Sequence, residues 1–165
     1  MILWYSGGDD YYFDLDAVRV PQKYPGKKWY RGDRKGAFSG NPKGKNSSNV
    51  WSIPNVKANH PEKTDHQCQF PVALVQRLIR ALTPVGGVVL DPFLGAGSTG
   101  VACIIEGRRF VGIELDREYH SVAVARYARA LHGTEKYRDV DAPTYVPPHT
   151  SILLRNPFAG MAESG

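Results

Sequence analysis

The feature that most constrains the fold is the run Val88-Val89-Leu90-Asp91-Pro92-Phe93-Leu94-Gly95-Ala96-Gly97-Ser98-Thr99-Gly100. Three apolar β-formers lead into an acid, then a glycine-rich turn, then a segment that reads as helix. Strand, tight turn and helix N-terminus in that order define the start of a βα unit. Glycine lets the backbone approach a ligand closely, and the helix start adds the positive end of a dipole. Such a turn suits the polar part of a nucleotide-like molecule.

The flanking segments extend the unit. Pro71 fits the first position of a helix, and Val72, Leu74, Val75, Leu78, Ile79 and Leu82 follow at helical spacing on one apolar face. Thr83-Pro84-Val85-Gly86-Gly87 stops that helix. After the turn, residues 99–106 read as a short helix with Val101, Ala102, Ile104 and Ile105 turned inward, and Gly107 ends it. Residues 109–114 read as a second strand, and Asp116 is placed to cap a helix from Arg117 to Leu131. Strand, helix, strand and helix with short links imply parallel strands. The fold class expected is α/β, part of a doubly wound (Rossmann-like) arrangement.

Length and composition bound the rest. A chain of 165 residues supports one core and hardly two. No apolar run approaches the roughly 20 residues of a membrane span, so no membrane partner is expected. Cys68 and Cys103 make no disulfide framework, and a reducing cytoplasm is the simplest compartment. His60, His66 and Cys68 lack a fourth ligand at zinc-site spacing, so an ordinary polar loop is favoured over a metal there.

Charge is unevenly spread. From Arg19 to Lys63, eleven Lys/Arg face two acids, a local +9, so the total of +5 leaves −4 elsewhere. A charge run alone is usually a solvated linker. Here Tyr24, Trp29, Tyr30, Phe38 and Trp51 lie among the charges, and basic residues interleaved with flat rings suit phosphate contact with base stacking. The segment is read as a loop-rich nucleic-acid surface, with Lys27, Lys28, Arg31, Lys43, Lys45, Asn46 and Trp51 as candidate DNA contacts. Met1–Tyr5 reads as a short apolar strand that begins abruptly, and residues 11–21 as an extended segment ended by Pro21.

The choice of cofactor turns on Asp91. Gly95-x-Gly97-x-x-Gly100 matches the dinucleotide pattern, which alone is a weak signal. Asp-Pro-Phe-Leu separates the strand from the first glycine, and a carboxylate at the strand end repels a pyrophosphate but pairs with an ammonium group. Glu114, at the end of the next strand, can accept hydrogen bonds from both hydroxyls of a ribose. An α-amino group, a ribose and a sulfonium together describe S-adenosylmethionine.

At this point the residues resemble a family. Asp91-Pro92-Phe93-x-Gly95-x-Gly97-Ser98-Thr99 is similar to the cofactor motif of the DNA amino-methyltransferases, which modify adenine N6 or cytosine N4, and Glu114 matches its companion acid. His60-Pro61-Glu62-Lys63-Thr64 and the following helix resemble the motif that precedes the cofactor strand. Gly40-Asn41-Pro42-x-Gly44-Lys45-Asn46 and Asn55-Val56-Lys57-Ala58-Asn59-His60-Pro61 resemble the target-recognition segment of the subgroup in which the catalytic motif comes first. Ser47, Asn49 and Gln67 depart from the pattern. The resemblance covers about residues 1–130. It implies that Asp91 and Phe93 line the methionine and adenosine parts of S-adenosylmethionine, that Gly95 and Gly97 cradle it, that Ser98 starts the helix, and that Glu114 holds the ribose. Lys63 and Thr64 would close over its methionine end. Double-stranded DNA is the implied partner. The implied organisation is a recognition segment at 1–59, a cofactor-binding βαβα part at 60–132 and an irregular, loosely packed tail at 133–165.

The family's catalytic tetrapeptide, Asp/Asn/Ser-Pro-Pro-aromatic, does not occur. Tyr145-Val146-Pro147-Pro148-His149 lacks the acid and the ring, and Asn156-Pro157-Phe158 lacks a proline. No catalytic residue is therefore assigned. The motif is expected upstream of Met1, in a further methyltransferase half, fused or separate. The alternative is a non-catalytic module that keeps cofactor or DNA binding. Without that half, the strand at 88–90 is expected to present an open edge and to associate.

Overall fold

The computed structural model describes residues 1–142. Its helices are α1 (Val72–Leu82), α2 (Ser98–Ile105) and α3 (Arg117–Leu131), and its strands are β1 (Val88–Asp91) and β2 (Arg109–Gly112). The strands pair in parallel, with Val88 opposite Arg109, Val89 opposite Phe110, Leu90 opposite Val111 and Asp91 opposite Gly112. This is a small α/β unit with the βαβα order expected for part of a doubly wound fold.

Alternation along the strands divides the sheet into two unlike faces. Val89 and Phe110 pack against a core of Val72, Val75, Ile79, Val101, Ala102 and Cys103, contributed by α1 and α2. On the opposite face Val88, Leu90, Val111 and Ile113 are each more than half exposed, at 53%, 64%, 52% and 56%. Near-continuous apolar strands are the signature of parallel sheets covered on both faces. The described residues cover one. The apolar face of α1 divides in the same way: Val72, Val75 and Ile79 are buried, whereas Leu74, Leu78 and Leu82 stay half-buried. These three line a groove of about 330 Å³ that runs beside β1 to Asp91 and Thr99.

Boundaries differ slightly from those read in the sequence. Pro71 is the N-cap of α1 and Val72 its first helical residue. Asp116 caps α3 as expected, its carboxylate accepting from the N–H groups of Glu118 at 2.8 Å and Tyr119 at 3.1 Å. The sheet ladder of β2 is prolonged past Gly112 by Ile113, whose N–H donates to Asp91 O at 2.9 Å.

Three expectations are corrected. Met1–Tyr5 is not a strand: among the described residues no strand pairs with it, and Trp4 instead meets the rings of Tyr11 at 4.8 Å and Phe13 at 5.8 Å. The extended segment at 11–21 is interrupted by a 3-10 turn at Asp16–Val18, because Asp14 accepts from the N–H of Ala17 at 3.0 Å and so starts a turn. The beginning of the expected loose tail is pinned. Glu135 pairs with Arg126, the Arg138 N–H donates to Glu62, and Val140 N–H donates to Gln76. The rest of that tail, with the near-motifs at 145–149 and 156–158, lies outside the described residues.

Candidate cofactor site and basic segment

The carboxyl ends of β1 and β2 bring Asp91 and Glu114 onto one glycine-rich turn. Asp91 shapes that turn: its carboxylate accepts from the N–H of Phe93 at 3.0 Å and from the hydroxyl of Thr99 at 2.6 Å. Glu114 ties the turn to β2, accepting from the N–H of Gly95 at 2.6 Å and of Asp116 at 2.9 Å. These two backbone donors, Asp116 first, hold the Glu114 carboxyl below its ordinary range. An ionised carboxylate offers about four lone-pair sites, so both acids keep acceptor capacity for a ligand. Phe93 and Leu115, beside them in sequence, are 85% and 97% exposed.

The glycines have a second duty. Gly95 has φ +52°, and a Cβ there would lie 2.8 Å from His66 Nε2. Gly97, at φ +79°, is the N-cap of α2, and a Cβ there would collide with Tyr127 Oη and Ala123 of α3. Gly97 thus admits α3 against the turn as well as freeing its backbone. By helix geometry the first N–H groups of α2 have no acceptor inside the helix and remain available to a ligand.

Behind the turn lies a buried polar scaffold that the sequence reading missed. Arg126 of α3 is fully buried; its guanidinium pairs with Glu135 at 2.6 Å and donates to Ala96 O at 2.9 Å and Ser98 Oγ at 3.3 Å. Ser98 in turn donates to Phe70 O at 2.9 Å. Ser98 starts α2, and its buried side chain joins the turn to the loop before α1. Glu62, also buried, accepts from the Val72 N–H at 2.8 Å and from the Arg138 N–H at 3.0 Å, so it anchors both the start of α1 and the segment after α3. A buried Arg or Glu leaves no periodic signature, which is why neither stood out.

The loop at 60–71 reaches the turn through His66 and Phe70. The His66 ring lies over Gly95 and edge-on to Tyr119, with centroids 4.3 Å apart. Lys63 Nζ donates to His66 O at 3.1 Å, and Thr64 Oγ1 donates to Gln69 Oε1 at 2.8 Å. Lys63 and Thr64 thus order the loop that carries His66. The signal for His66 was its place in a polar loop just before α1, the helix that leads to β1.

The candidate DNA contacts fall into two groups. Lys43 pairs with Asp16, Asn46 accepts from Arg19 at 2.6 Å, and Lys45 forms an antiparallel backbone bridge with Val20. Trp51 donates to Ser48 O at 2.8 Å while Arg77 lies 4.8 Å above its ring. Lys43, Asn46 and Trp51 hold the segment together through their side chains, and Lys45 through its backbone alone, its ammonium making none of the ion pairs found among the described residues. Lys27, Lys28 and Arg31 make none of the six ion pairs found among the described residues; Lys28 and Arg31 lie over the rings of Phe38 and Tyr30.

With this geometry in view, comparison with known proteins is specific. The N6_N4_Mtase family model, described as DNA methylase, matches residues 1–125. The type II methyltransferase M.BglII of Bacillus subtilis is 44% identical over 122 residues, 74% of this chain and 34% of that protein. M.ScaI of Streptomyces caespitosus, another type II methyltransferase, is 45% identical over 130 residues, 75% of this chain and 41% of that protein. The chain therefore spans between a third and somewhat over two-fifths of the length of these two relatives. The solved structure of TTHA0409 from Thermus thermophilus, complexed with S-adenosyl-L-methionine, shares 47% identity across 39% of this chain and 27% of its own, with a TM-score of 0.37. That likeness is local.

Proposed function

Because this chain belongs to the N6/N4 DNA methylase family by the match over its residues 1–125, we propose that it carries the cofactor-binding and DNA-binding parts of a DNA methyltransferase acting on adenine N6 or cytosine N4. The single observation that carries this reading is the carboxylate pair at the ends of adjacent parallel strands. Asp91 and Glu114 share one glycine turn, and Glu114 is fixed to it through Gly95 N–H.

The residues present fit S-adenosyl-L-methionine. When bound, this cofactor supplies an electrophilic methyl group. Glu114 has lone pairs left for two ribose hydroxyls, and Asp91 supplies negative charge for an ammonium. Phe93 and Leu115 offer exposed apolar surface to an adenine. The N–H groups at the start of α2 and the cradle at Gly95 and Gly97 take the remaining polar atoms. Lys63 and Thr64 act by ordering the loop from which His66 covers Gly95. Lys27, Lys28 and Arg31 meet double-stranded DNA. What these residues contribute is positioning, which supplies much of the acceleration when a nucleophile must be aligned in line with a transferring group. The compartment is that of the DNA, the cytoplasm.

The amine-binding Asp/Asn/Ser-Pro-Pro-aromatic motif, absent from the 165 residues, is supplied in this reading by a further methyltransferase half, fused or separate. That half covers the exposed face at Val88, Leu90, Val111 and Ile113 and the groove beside β1. The test is transfer of a labelled methyl from S-adenosylmethionine to duplex DNA, measured for the chain alone and mixed with a polypeptide carrying the motif. Transfer in the mixture only is the expected result. Failure of any such partner, with cofactor binding retained, favours a non-catalytic binding module, for which the missing motif is the motivating observation.

A further inference from the structure

The glycine turn between β1 and α2 is the stretch of backbone least able to fix its own shape. Gly95 and Gly97 stand at φ +52° and +79°, and glycine has many alternatives to any one conformation. Three hydrogen bonds tie the turn to the sheet and to itself. Gly95 N–H donates to Glu114, Leu94 N–H to Ile113 O at 2.9 Å and Gly97 N–H to Leu94 O at 2.9 Å. From the interior the Arg126 guanidinium reaches the same turn. Its Nη1 donates to Ala96 O at 2.9 Å and to Ser98 Oγ at 3.3 Å, while its Nε stays with Glu135 at 2.6 Å.

Stability alone gives a poor account of this arginine. A buried ion pair contributes little net stability compared with well-packed apolar side chains of the same volume. A cation beside the N-terminus of a helix opposes the dipole, which favours acids there, yet Arg126 bonds to Ser98, the first residue of α2. Its Nη2 is buried with no hydrogen-bond partner among the described residues, and an unsatisfied buried donor is costly. Three departures from stable packing thus meet in one side chain, directly behind the candidate cofactor cradle. Departures of this kind belong to functional sites.

We propose that Arg126 is a positioning residue for the cofactor turn: from its buried place it fixes Ala96 and Ser98 and so presets the backbone donors that meet S-adenosylmethionine. The assignment rests on the cofactor reading and deepens it. Gly97, as N-cap, brings no side chain to the first N–H groups of α2, so their direction depends on what holds the residues on either side of it. A turn that adopts its competent shape only part of the time binds with an affinity reduced by that fraction. Glu135, which also pairs with Arg129, fixes the guanidinium in its turn. Lysine is no substitute. A single ammonium on a flexible stem lacks the planar fork that serves Glu135, Ala96 and Ser98 together.

Calorimetric titration of the full chain with S-adenosylmethionine, beside a melting curve for each variant, tests this. Arg126→Lys keeps a cation for Glu135 and is expected to raise the dissociation constant about tenfold, the lower end for hydrogen bonds made by a charged group. Ile79→Ala, which empties part of the core on α1, is expected to lower the melting temperature and to leave the affinity within about twofold, as for independent sites. Amide hydrogen exchange supplies a local readout: Gly97, whose N–H donates to Leu94 O, is expected to lose protection in Arg126→Lys while the middle of α3 keeps its own. Ser98→Ala, which leaves the Arg126–Glu135 pair whole, reads the same contact should Arg126→Lys not fold, with weakening of about threefold expected. Unchanged affinity or unchanged Gly97 protection in Arg126→Lys overturns the positioning role and leaves the cofactor reading standing. So does an equal loss of affinity in Ile79→Ala. A wild-type chain that does not bind S-adenosylmethionine overturns both.

Discussion

Replacing Arg126 by Met tests the scaffold behind the cofactor turn most severely. The guanidinium is fully buried and meets Glu135, itself 5% exposed, together with Ala96 O and Ser98 Oγ. Breaking a buried pair by deleting one partner costs about 3–5 kcal/mol, because the other charge is stranded. Glu135 keeps the half-exposed Arg129 at 2.6 Å, which places the cost at the lower end, about 3 kcal/mol. For a chain of this size each kcal/mol moves the melting temperature by roughly 2–4 °C, so a fall of roughly 6–12 °C is expected by scanning calorimetry. Arg126→Met/Glu135→Gln removes the stranded carboxylate and should recover part of that loss. A single-variant shift below about 2 °C, or a double variant less stable than the single, contradicts a charge pair acting as the prop of Ala96 and Ser98.

Other consequences are readily measured. Backbone donors lower the folded-state pKa of Glu114, so its contribution to the turn is complete above the unfolded carboxylate range and is lost as pH falls through the lowered value. Cofactor affinity should therefore show no Glu114 titration between roughly pH 6 and 8, and a midpoint there that Glu114→Gln abolishes would refute the geometry. Cys103 is buried and its thiol is pushed up to about 11, whereas Cys68 is exposed. A thiol reagent at mild pH should label Cys68 alone in the native chain and both after unfolding; native labelling of Cys103 would contradict the core packing. The apolar sheet face should drive self-association. Leu90→Thr/Val111→Thr should weaken it by about 2–3 kcal/mol, from side chains still more than half exposed. Sedimentation gives the constants, and a wild-type chain that stays monomeric at its solubility limit would count against it.

The sequence revealed what repeats or punctuates. Helical spacing marked α1, the apolar triplet marked β1, and Asp116 announced α3 to the residue. That Asp91, Gly95 and Glu114, the candidate site residues, meet at one turn was legible because strand ends and glycines mark their own positions. Buried polar residues carry no such mark. Arg126 drew no notice in the sequence and Glu62 counted only as an acid within the 60–64 motif, yet the fold encloses both, and His66 read as loop until it was found over Gly95. Apolar content misled at Met1–Tyr5, since a strand needs a partner as well as β-formers. In the basic segment, composition identified the cations but not which of them Asp16 neutralises. That division depends on contacts between residues some 27 positions apart.

Isothermal titration of the chain with S-adenosylmethionine, with NADH as competitor class and with Glu114→Ala in parallel, bears most directly on the central assignment. The assignment requires saturable binding of S-adenosylmethionine, no binding of NADH, and a weakening in Glu114→Ala of roughly 10- to 150-fold, from about 1.5–3 kcal/mol for hydrogen bonds to an ionised group. Preference for NADH, or an affinity unchanged by Glu114→Ala in a folded variant, would contradict it.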